Sequence, residues 1–549
     1  MEVQRLPPIP KQCPFTIEEC HIKDGIPSPR DKTFLIREHD KYGEYPHIYA
    51  KICQQAENLI QTVDGREKSA AHRVIVLSDT GCGTEVPCWH STKRRFPPSH
   101  QAEPRSPYPR VWNIFTFLEY TLNPGSQIPY LVMTTHCHYD HILGIWKLPP
   151  TTAAGAKRTA APATSRTSDN ETQRPQPAPP ATTVLTSSHG KAFVTPYANL
   201  QKHSLAGTLG LCAPKYDVGI WAEDYSQVVY HSNRSDPPST TQPTPQSDST
   251  HRTTIQIPTP YTILHTPGHT PDSLSWYDAD NRVLCVGDSF YLKETSSTRG
   301  APWGREPPMP TMFDKESDLV QWWRSLHKVL AFVVEKNREL RQEVSDRGRV
   351  QQSDGDGSPS SRPIPPTTTS RPWVPSLSLF SSRRRTATAT QPGNERPPDS
   401  LNAPTSHSPQ LSFRTLQSTH LPANDLWLLV DLDDSDAIDS HPRVDLAAAH
   451  TTCNTDAETA ILEIKAFVAA ILRDELPKRK VGNGPRGEER WLWDVDVNAD
   501  DEELEKYVDG MAERRSLQAA REWRFSVLAP IEVVEDGRRR IPRIEWESD

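Results

Sequence analysis

One short segment constrains this chain more than any other: an apolar run that ends in a cluster of histidines and an aspartate. Residues Leu131–Thr135 predict a β-strand, and His136, His138, Asp140 and His141 follow it directly. In extended backbone, positions i and i+2 face the same side, so both His136 and His138 can point at one metal ion. Asp140 and His141 lie at the start of a predicted short helix, where the backbone turns and aims them at a second ion. The segment therefore predicts a two-metal site at the end of a strand.

Three further candidate ligands follow apolar strands later in the chain. His269 projects from a tight Thr-Pro-Gly turn, Asp288 follows a glycine, and His450 comes directly before a predicted helix. His420 and His441 are alternatives to His450, although neither ends an apolar strand. Side chains at the ends of several strands can be delivered to one cleft. Imidazole and carboxylate ligands of this kind suit Zn²⁺, and also Fe or Mn.

The remaining pattern predicts a mixed α/β fold. Eight short β-branched or apolar runs bounded by turn residues predict strands: Thr33–Arg37, His47–Ile52, Val74–Leu77, Leu131–Thr135, Thr182–Thr186, Thr262–His265, Val283–Val286 and Val444–Ala448. Apolar residues at i, i+3, i+4 and i+7 predict helices over Ser317–Val344 and Asp456–Leu472. Thr455 and Glu458 form a capping-box pattern at the start of the second helix. Strands outnumber helices, which favours sheets covered by helices over an all-β or all-α domain.

Composition predicts that much of the chain does not pack. Of 549 residues, 53 are Pro and only 35% are hydrophobic, and stretches rich in Pro, Ser and Thr cannot offset their ordering entropy by burial. The predicted disordered inserts are 149–181, 232–253 and 345–418. They interrupt one domain over 31–476, between an N-terminal extension (1–30) and a polar C-terminal extension (477–549). In the latter, Phe525–Ala529 is strand-like, and it is open whether it closes over the site or pairs with a sheet edge.

Charge and cysteine content limit the partners and the compartment. The formal net charge is −8, and the basic runs have only three residues each, so no nucleic-acid partner is expected. No run approaches the roughly 18 apolar residues that a membrane span needs, and the first residues contain no apolar signal region. Nine cysteines without a repeated spacing predict reduced thiols and a cytoplasmic protein. The oligomeric state is left open.

These motifs together resemble one known family. The segment His136–His141 matches the H-x-H-x-D-H signature of the metallo-β-lactamase superfamily, and Thr266–His269, Gly287–Asp288 and Ala449–His450 match its later motifs in order. The segment Val74–Gly81 is similar to the family's early strand that ends in Asp-Thr-Gly. The resemblance runs from the first predicted strand to the last predicted helix. Within the family, the motifs are most similar to those of glyoxalase II-like and lactonase-like members. It implies a four-layer αββα sandwich, in which two mixed sheets face each other beneath helices.

The resemblance also implies a role for each motif residue. It implies three ligands for a first metal ion: His136, His138 and His269. It implies three more for a second ion: Asp140, His141 and His450. Asp288 would bridge both ions through its carboxylate, and Asp79 would orient the ligands without binding metal, as outer carboxylates do. For His265, beside the His269 turn, it is the strand alternation that predicts a packed residue or a further outer partner.

The activity that the resemblance implies is metal-dependent hydrolysis with two Zn²⁺, or with Fe or Mn instead. Two cations create hydroxide from a shared water beside an electrophile, so no Ser or Cys nucleophile is required, and Asp140 or Asp288 would manage the proton. We expect a small acyl substrate, a thioester, lactone or related ester. Two alternatives stay open: a mononuclear iron dioxygenase of the persulfide dioxygenase type, and a non-catalytic scaffold of the same fold.

Overall fold

A computed structural model describes nine stretches of the chain: 6–20, 32–55, 72–88, 108–150, 181–233, 254–293, 309–353, 442–494 and 524–546. The chain divides into two compact units, Met1–Val344 with Pro442–Asp549, and Ser345–His441. All elements below belong to the first unit, except for the end of one long helix.

Strands make up most of the described elements. In chain order they are β1 (Phe15–Glu19), β2 (Thr33–Glu38), β3 (His47–Gln54), β4 (Arg73–Ser78), β5 (Val86–Pro87), β6 (Val111–Trp112), β7 (Tyr130–Met133), β8 (Thr182–Ser187), β9 (Val218–Ala222), β10 (Gln227–Asn233), β11 (Thr254–His265), β12 (Leu274–Asp278), β13 (Val283–Cys285), β14 (Thr311–Met312), β15 (Asp445–Ala447), β16 (Thr455–Asp456), β17 (Lys478–Asn483), β18 (Glu489–Trp493) and β19 (Val527–Pro530). The helices among the described residues are α1 (Ile114–Thr121), α2 (Tyr139–Ile142), α3 (Lys191–Val194), α4 (Tyr197–His203), α5 (Leu319–Ser353), α6 (Ala457–Arg473) and α7 (Ile531–Arg540).

Two mixed sheets form the centre of the fold. The first has the order β1-β2-β3-β4-β7-β8-β9 and the second the order β10-β11-β12-β13-β15-β16. In the first sheet β4, β7, β8 and β9 are parallel neighbours, and in the second β13 pairs with β15 in parallel. β11 and β13 both pair antiparallel with β12 and so run in the same direction. The carboxyl ends of β4 and β7 therefore meet at one edge, and those of β11, β13 and β15 meet at one edge of the second sheet.

The core lies in three layers between and outside these sheets. Tyr49 and Leu131 of the first sheet pack with Ile263 and Trp276 of the second in a buried inter-sheet cluster. The outer face of the first sheet is covered by α1 through residues such as Phe117. The outer face of the second sheet is covered by α5 and α6. This is the predicted αββα class, and the prediction is confirmed.

A buried ion pair also joins the two sheets. Lys51 of β3 is fully buried, and its Nζ lies 2.9 Å from both carboxylate oxygens of Asp278 at the end of β12. Thr33 donates a further hydrogen bond to this carboxylate at 3.1 Å. A buried charge is tolerated only when it is compensated. Each of the two residues therefore needs its partner in the other sheet, and the pair holds the sheets in register.

Two helix boundaries differ from the sequence predictions. Thr455 and Asp456 form β16, and the cap of α6 is Asp456, whose side chain accepts a hydrogen bond from the Thr459 amide at 2.8 Å. The predicted capping box at Thr455 is therefore wrong, because α6 begins one residue later than that pattern requires. The helix α5 continues past the predicted end at Val344 to Ser353, since extending a helix costs less than starting one. Most of the three predicted inserts, and the alternative ligands at 420 and 441, lie outside the described residues.

The strand-like run near residue 525 becomes β19, in a third sheet of order β14-β19-β18-β17 that we call the C-terminal sheet. It pairs with β14 and β18 rather than with either main sheet in the described part of the chain. Trp322 and Trp323 of α5 are fully buried in the same apolar cluster as residues of this sheet, such as Val527. Among the described helices, none is long and apolar enough to cross a membrane.

Candidate metal centre

The candidate ligands follow the strand ends that meet at one edge of the sandwich. His136 and His138 come after β7. The single-turn helix α2 begins directly after His138 and contains Asp140 and His141. Asp288 follows β13, and His450 follows β15. Parallel neighbouring strands thus bring side chains from distant parts of the sequence to one place.

Three histidines form the first ligand group: His136, His138 and His269. The ring nitrogens His138 Nδ1 and His269 Nε2 are 3.1 Å apart. All three side chains are buried. Gly268, directly before His269, has φ +143°, and a Cβ there would lie 2.3 Å from the Cα of Trp322. The turn can therefore pack against the backbone of α5 only with glycine at this position.

The second ligand group contains Asp140, His141, Asp288 and His450. Asp140 Oδ2 lies 3.0 Å from His141 Nε2 and 3.3 Å from His450 Nε2. Asp288 Oδ1 lies 3.4 Å from the same nitrogen of His450. Two ligand atoms bound tetrahedrally to one Zn²⁺ at 2.0–2.1 Å are about 3.3 Å apart, so these spacings suit a shared cation.

The carboxylate of Asp288 also connects the two groups. Its Oδ2 is 3.3 Å from His141 Nε2, 3.8 Å from His136 Nε2 and 3.9 Å from His269 Nε2. Gly287 precedes it with φ +55°, and a Cβ there would lie 2.9 Å from the side chain of Thr135. The glycine thus allows Asp288 to sit between the two groups.

Outer hydrogen bonds orient the ligand rings. Asp79 Oδ2 lies 3.2 Å from His141 Nδ1, and the same carboxylate accepts from the amide and hydroxyl of Thr135 at 2.7 and 2.8 Å. The backbone carbonyl of Met312 lies 2.8 Å from His269 Nδ1, and that of Glu44 lies 2.9 Å from His450 Nδ1. In each ring the opposite nitrogen, Nε2, then faces the centre. Such outer partners set the tautomer and orientation of a ligating histidine.

The loop after Asp79 is held by a buried carboxyl group. Glu38 accepts hydrogen bonds from the amides of Cys82 and Thr84 at 2.8 and 2.7 Å. Burial raises the pKa of Glu38 to about 7, even though these hydrogen bonds act in the opposite direction. A Cβ on Gly81 would lie 1.6 Å from its carboxylate, so glycine is required where the loop passes Glu38.

The electrostatics of the second group call for positive charge. Burial alone would lower the pKa of His450, but the carboxylates of Asp288 and Asp140 outweigh it and raise the pKa to about 10. They raise the pKa of His141 well above its usual value in the same way. In return, the two histidines hold the pKa of both carboxyls well below the usual range, against the effect of burial. Protons on these histidines occupy the place that cations would take.

Unpartnered polar atoms test whether the residues fit a metal. His136 Nε2, His450 Nε2 and Asp288 Oδ1 are buried and make no hydrogen bond of normal geometry, although charged ligand atoms lie nearby. Buried polar atoms are normally satisfied, and these three are ligand atoms of the two groups. Imidazole and carboxylate donors around a shared carboxylate therefore fit a pair of divalent cations.

The structure brings all seven predicted ligands together and places Asp79 in contact with them. His265 lies apart from the two groups: its ring stacks on His189 with centroids 4.4 Å apart, and its Nε2 is 3.1 Å from the carbonyl of Pro271. Tyr291 donates to the carbonyl of Pro310 at 2.7 Å, as a structural tyrosine would. Glu44, Met312 and Glu38 escaped prediction. Two of them act through backbone carbonyls, which leave no side-chain signal in a sequence.

Comparisons with known proteins identify the family that this chain resembles. The sequence model of the metallo-beta-lactamase superfamily matches residues 201–328, which include His269 and Asp288. The predicted resemblance to this superfamily is confirmed. Together with the two ligand groups, the match supports a fold of the metal-dependent hydrolase type with a divalent metal cofactor.

Individual proteins that the chain resembles have low sequence identity to it. A putative transcription factor of Aspergillus versicolor, avaE, is 28% identical over 117 residues, which are 21% of this chain and 25% of that protein. The chain thus spans about a quarter of the curated relative's length. A solved structure of TTHA1623 in a di-iron-bound form is 14% identical, covers 53% of this chain and 83% of its own, and has a TM-score of 0.22. The BLEG-1 B3 metallo-beta-lactamase is 12% identical, covers 58% of this chain and 86% of its own, and has a TM-score of 0.21.

Proposed function

We propose that this chain, which resembles the metallo-β-lactamase superfamily, is a hydrolase that uses two zinc ions to cleave a small acyl compound. The observation that carries the proposal is the carboxylate of Asp288 between two buried ligand groups. A carboxylate placed between two ligand groups suits a pair of cations a few ångströms apart.

When bound, two divalent cations would lower the pKa of a shared water and polarise the substrate carbonyl. The residues of the chain prepare the site for this chemistry. His136, His138 and His269 would hold one ion, and Asp140, His141 and His450 the other, with Asp288 between them. The outer hydrogen bonds at Nδ1 aim each Nε2 inward, where a bound cation would replace the proton, so little reorganisation is needed during the reaction.

A carboxylate in the second group is placed to manage a proton. Asp140 Oδ2 lies between the Nε2 atoms of His141 and His450, at 3.0 and 3.3 Å, and its side chain is 8% exposed. We propose that it accepts the proton of the attacking water and returns it to the leaving group. Asp288 is the other candidate for this role.

Covalent catalysis by the chain itself is disfavoured. Cys137 stands between two ligands in sequence, but its side chain points into the apolar cluster under the first sheet and is 1% exposed. A thiol in this position cannot reach a substrate carbonyl in the centre. Attack by water is therefore the reaction that the site favours.

The surroundings of the centre favour an uncharged acyl substrate. Besides the ligands, acidic side chains act on the centre electrostatically: Asp314 on His138, and Glu44 on Asp140. The many carboxyl groups of the centre would oppose a polyanion such as a nucleic acid, in line with the formal net charge of −8. Thioesters, lactones and related esters are the acyl compounds that we propose.

We also propose a cytoplasmic location. All nine cysteines are free thiols, which is the usual state in a reducing compartment. Zinc is proposed because groups of three and four imidazole and carboxylate ligands suit the four-coordinate geometry that Zn²⁺ prefers.

Elemental analysis and a substrate panel test the proposal. Purified full-length protein should carry about two zinc ions per chain and hydrolyse a thioester or lactone in a metal-dependent manner. His138→Ala and Asp288→Ala should each lower metal content and abolish hydrolysis. The matched control is His189→Ala, because the His189 side chain is 46% exposed and contacts neither ligand group. One iron per chain with oxygen consumption would overturn the proposal in favour of a dioxygenase, and absence of bound metal would overturn it in favour of a scaffold.

A further inference from the structure

The C-terminal sheet includes the strand that orients His269, although none of its residues is a predicted metal ligand. The carbonyl of Met312 holds His269 Nδ1 at 2.8 Å. Met312 belongs to the two-residue strand β14, whose strand partner in the described residues is β19. The neighbouring amides of Thr311 and Phe313 donate to the carbonyls of Ser526 and Leu528 at 2.9 and 2.8 Å. The position of the Met312 carbonyl thus depends on residues more than two hundred positions downstream.

A second contact reaches the same segment from the tip of the β17–β18 hairpin. Arg486 lies 2.8 Å from Glu316 Oε2 and 3.6 Å from Asp314 Oδ2 as an ion pair, and its side chain is 21% exposed. The amide of Arg486 donates to Glu488 Oε2 at 2.9 Å, which holds the hairpin tip in shape. Partial burial reduces solvent screening of this pair.

The segment that Arg486 contacts also supports the backbone at His269 and, through His203, the backbone next to His138. Ser317 donates its hydroxyl to the carbonyl of His269 at 2.8 Å, and the Asp318 amide donates to the carbonyl of Gly268 at 2.8 Å. On the other side, Glu316 Oε2 lies 2.7 Å from His203 Nδ1 at the end of α4. The next residue after His203 accepts a hydrogen bond from the Tyr139 amide, directly behind His138.

We propose that Arg486 is a positioning residue for the first ligand group, acting through Glu316 and the segment 311–318. Arg486 then influences the metal affinity of the three-histidine group, whereas its described contacts are with Asp314, Glu316 and Glu488 and include no residue of the second group. The inference rests on the metal centre of the proposed function but not on its substrate or reaction.

Selective cobalt titration tests this proposal. In a His450→Ala background only the first group is intact, and in a His138→Ala background only the second. Arg486→Met, added to each, should weaken Co²⁺ binding about tenfold in the first background, the lower end of the effect of outer partners, and shift the visible absorption of the bound cobalt. It should leave binding in the second background unchanged. Arg486→Lys should restore part of the loss, because it keeps the charge.

Two controls separate this role from general stability. Arg479→Met removes an exposed arginine from the same hairpin and should change neither titration. Glu316→Gln should reproduce the effect of Arg486→Met, and the double variant should be no weaker than either single one. Equal losses in both backgrounds, or no loss in the first, would overturn the positioning role. Failure of the wild-type protein to bind cobalt would instead overturn the metal centre itself.

Discussion

Replacing Asp79 by asparagine tests how the second ligand group is oriented. Asp79 is fully buried and has φ +62°, a conformation that asparagine tolerates better than most residues. The exchange therefore removes charge and changes one acceptor into a donor without straining the backbone. If the amide oxygen stays on the Thr135 amide, the amide NH₂ faces His141 Nδ1, which must then give up its proton.

The magnitude follows from this conflict of donors. If the proton moves to Nε2, His141 cannot bind metal through that nitrogen. If the proton stays on Nδ1, the Nδ1–H group and the new amide NH₂ are two donors that face each other without an acceptor. A hydrogen bond to a charged group contributes about 1.5–3 kcal/mol, and loss of an outer partner typically weakens metal binding about 10- to 100-fold. We expect the zinc affinity of the second group to fall by that factor, while the first group, where Asp79 makes no direct contact, retains its affinity.

Chelator competition at neutral pH measures both zinc dissociation constants. Asp278→Asn is the matched control, because it removes another fully buried carboxylate, roughly 13 Å along β12 from the strand end near the centre. It should lower the free energy of unfolding and leave both zinc affinities unchanged. If Asp79→Asn binds two zinc ions as tightly as the wild type, the orienting role of Asp79 is refuted.

Three other substitutions give distinct outcomes. Gly268→Ala should displace His269, because the new methyl group overlaps the backbone of α5, and should weaken cobalt binding to the first group by more than tenfold in titration. Glu38 has a pKa raised to about 7 against 4.5 in the unfolded chain, so the folded state binds the extra proton and stability falls as pH rises from about 4.5 to 7. Glu38→Gln should remove this slope, worth on the order of 3 kcal/mol, in urea unfolding of metal-free protein; an unchanged slope would contradict it. Lys51→Met should cost about 3–5 kcal/mol of unfolding free energy by leaving the Asp278 carboxylate buried without its partner, with unaltered zinc content; a loss below 1 kcal/mol would count against that account.

The ligands could be predicted because each follows a short local pattern. A strand that ends in His136 and His138, or in the turn before His269, is visible within a few residues of sequence. His450 could be placed as well, since an apolar strand leads directly into it. The structure brings these residues together because the strands that precede them run in parallel, a property that the hydrophobic pattern predicts only in general terms.

Contacts across long stretches of sequence could not be predicted. The carbonyls of Glu44 and Met312 orient ligand rings, yet any residue type could provide them. Arg486 lies in a polar hairpin whose sequence indicates only a solvated loop, since nothing in it points to Glu316.

The contact between Glu44 and His450 also bears on the order in which the centre is assembled. The two residues are 406 positions apart, and His47 donates its amide to the carbonyl of Ala449 at 2.7 Å. Contacts of such high sequence separation form late, because a long loop must close before they stabilise the chain. A nascent chain contains His136, His138 and His269 long before His450 has been synthesised, whereas the Met312 carbonyl is fixed only when β14 pairs with β19. The first cation can thus bind during synthesis, at reduced affinity, whereas the second must wait until nearly the whole domain has left the ribosome.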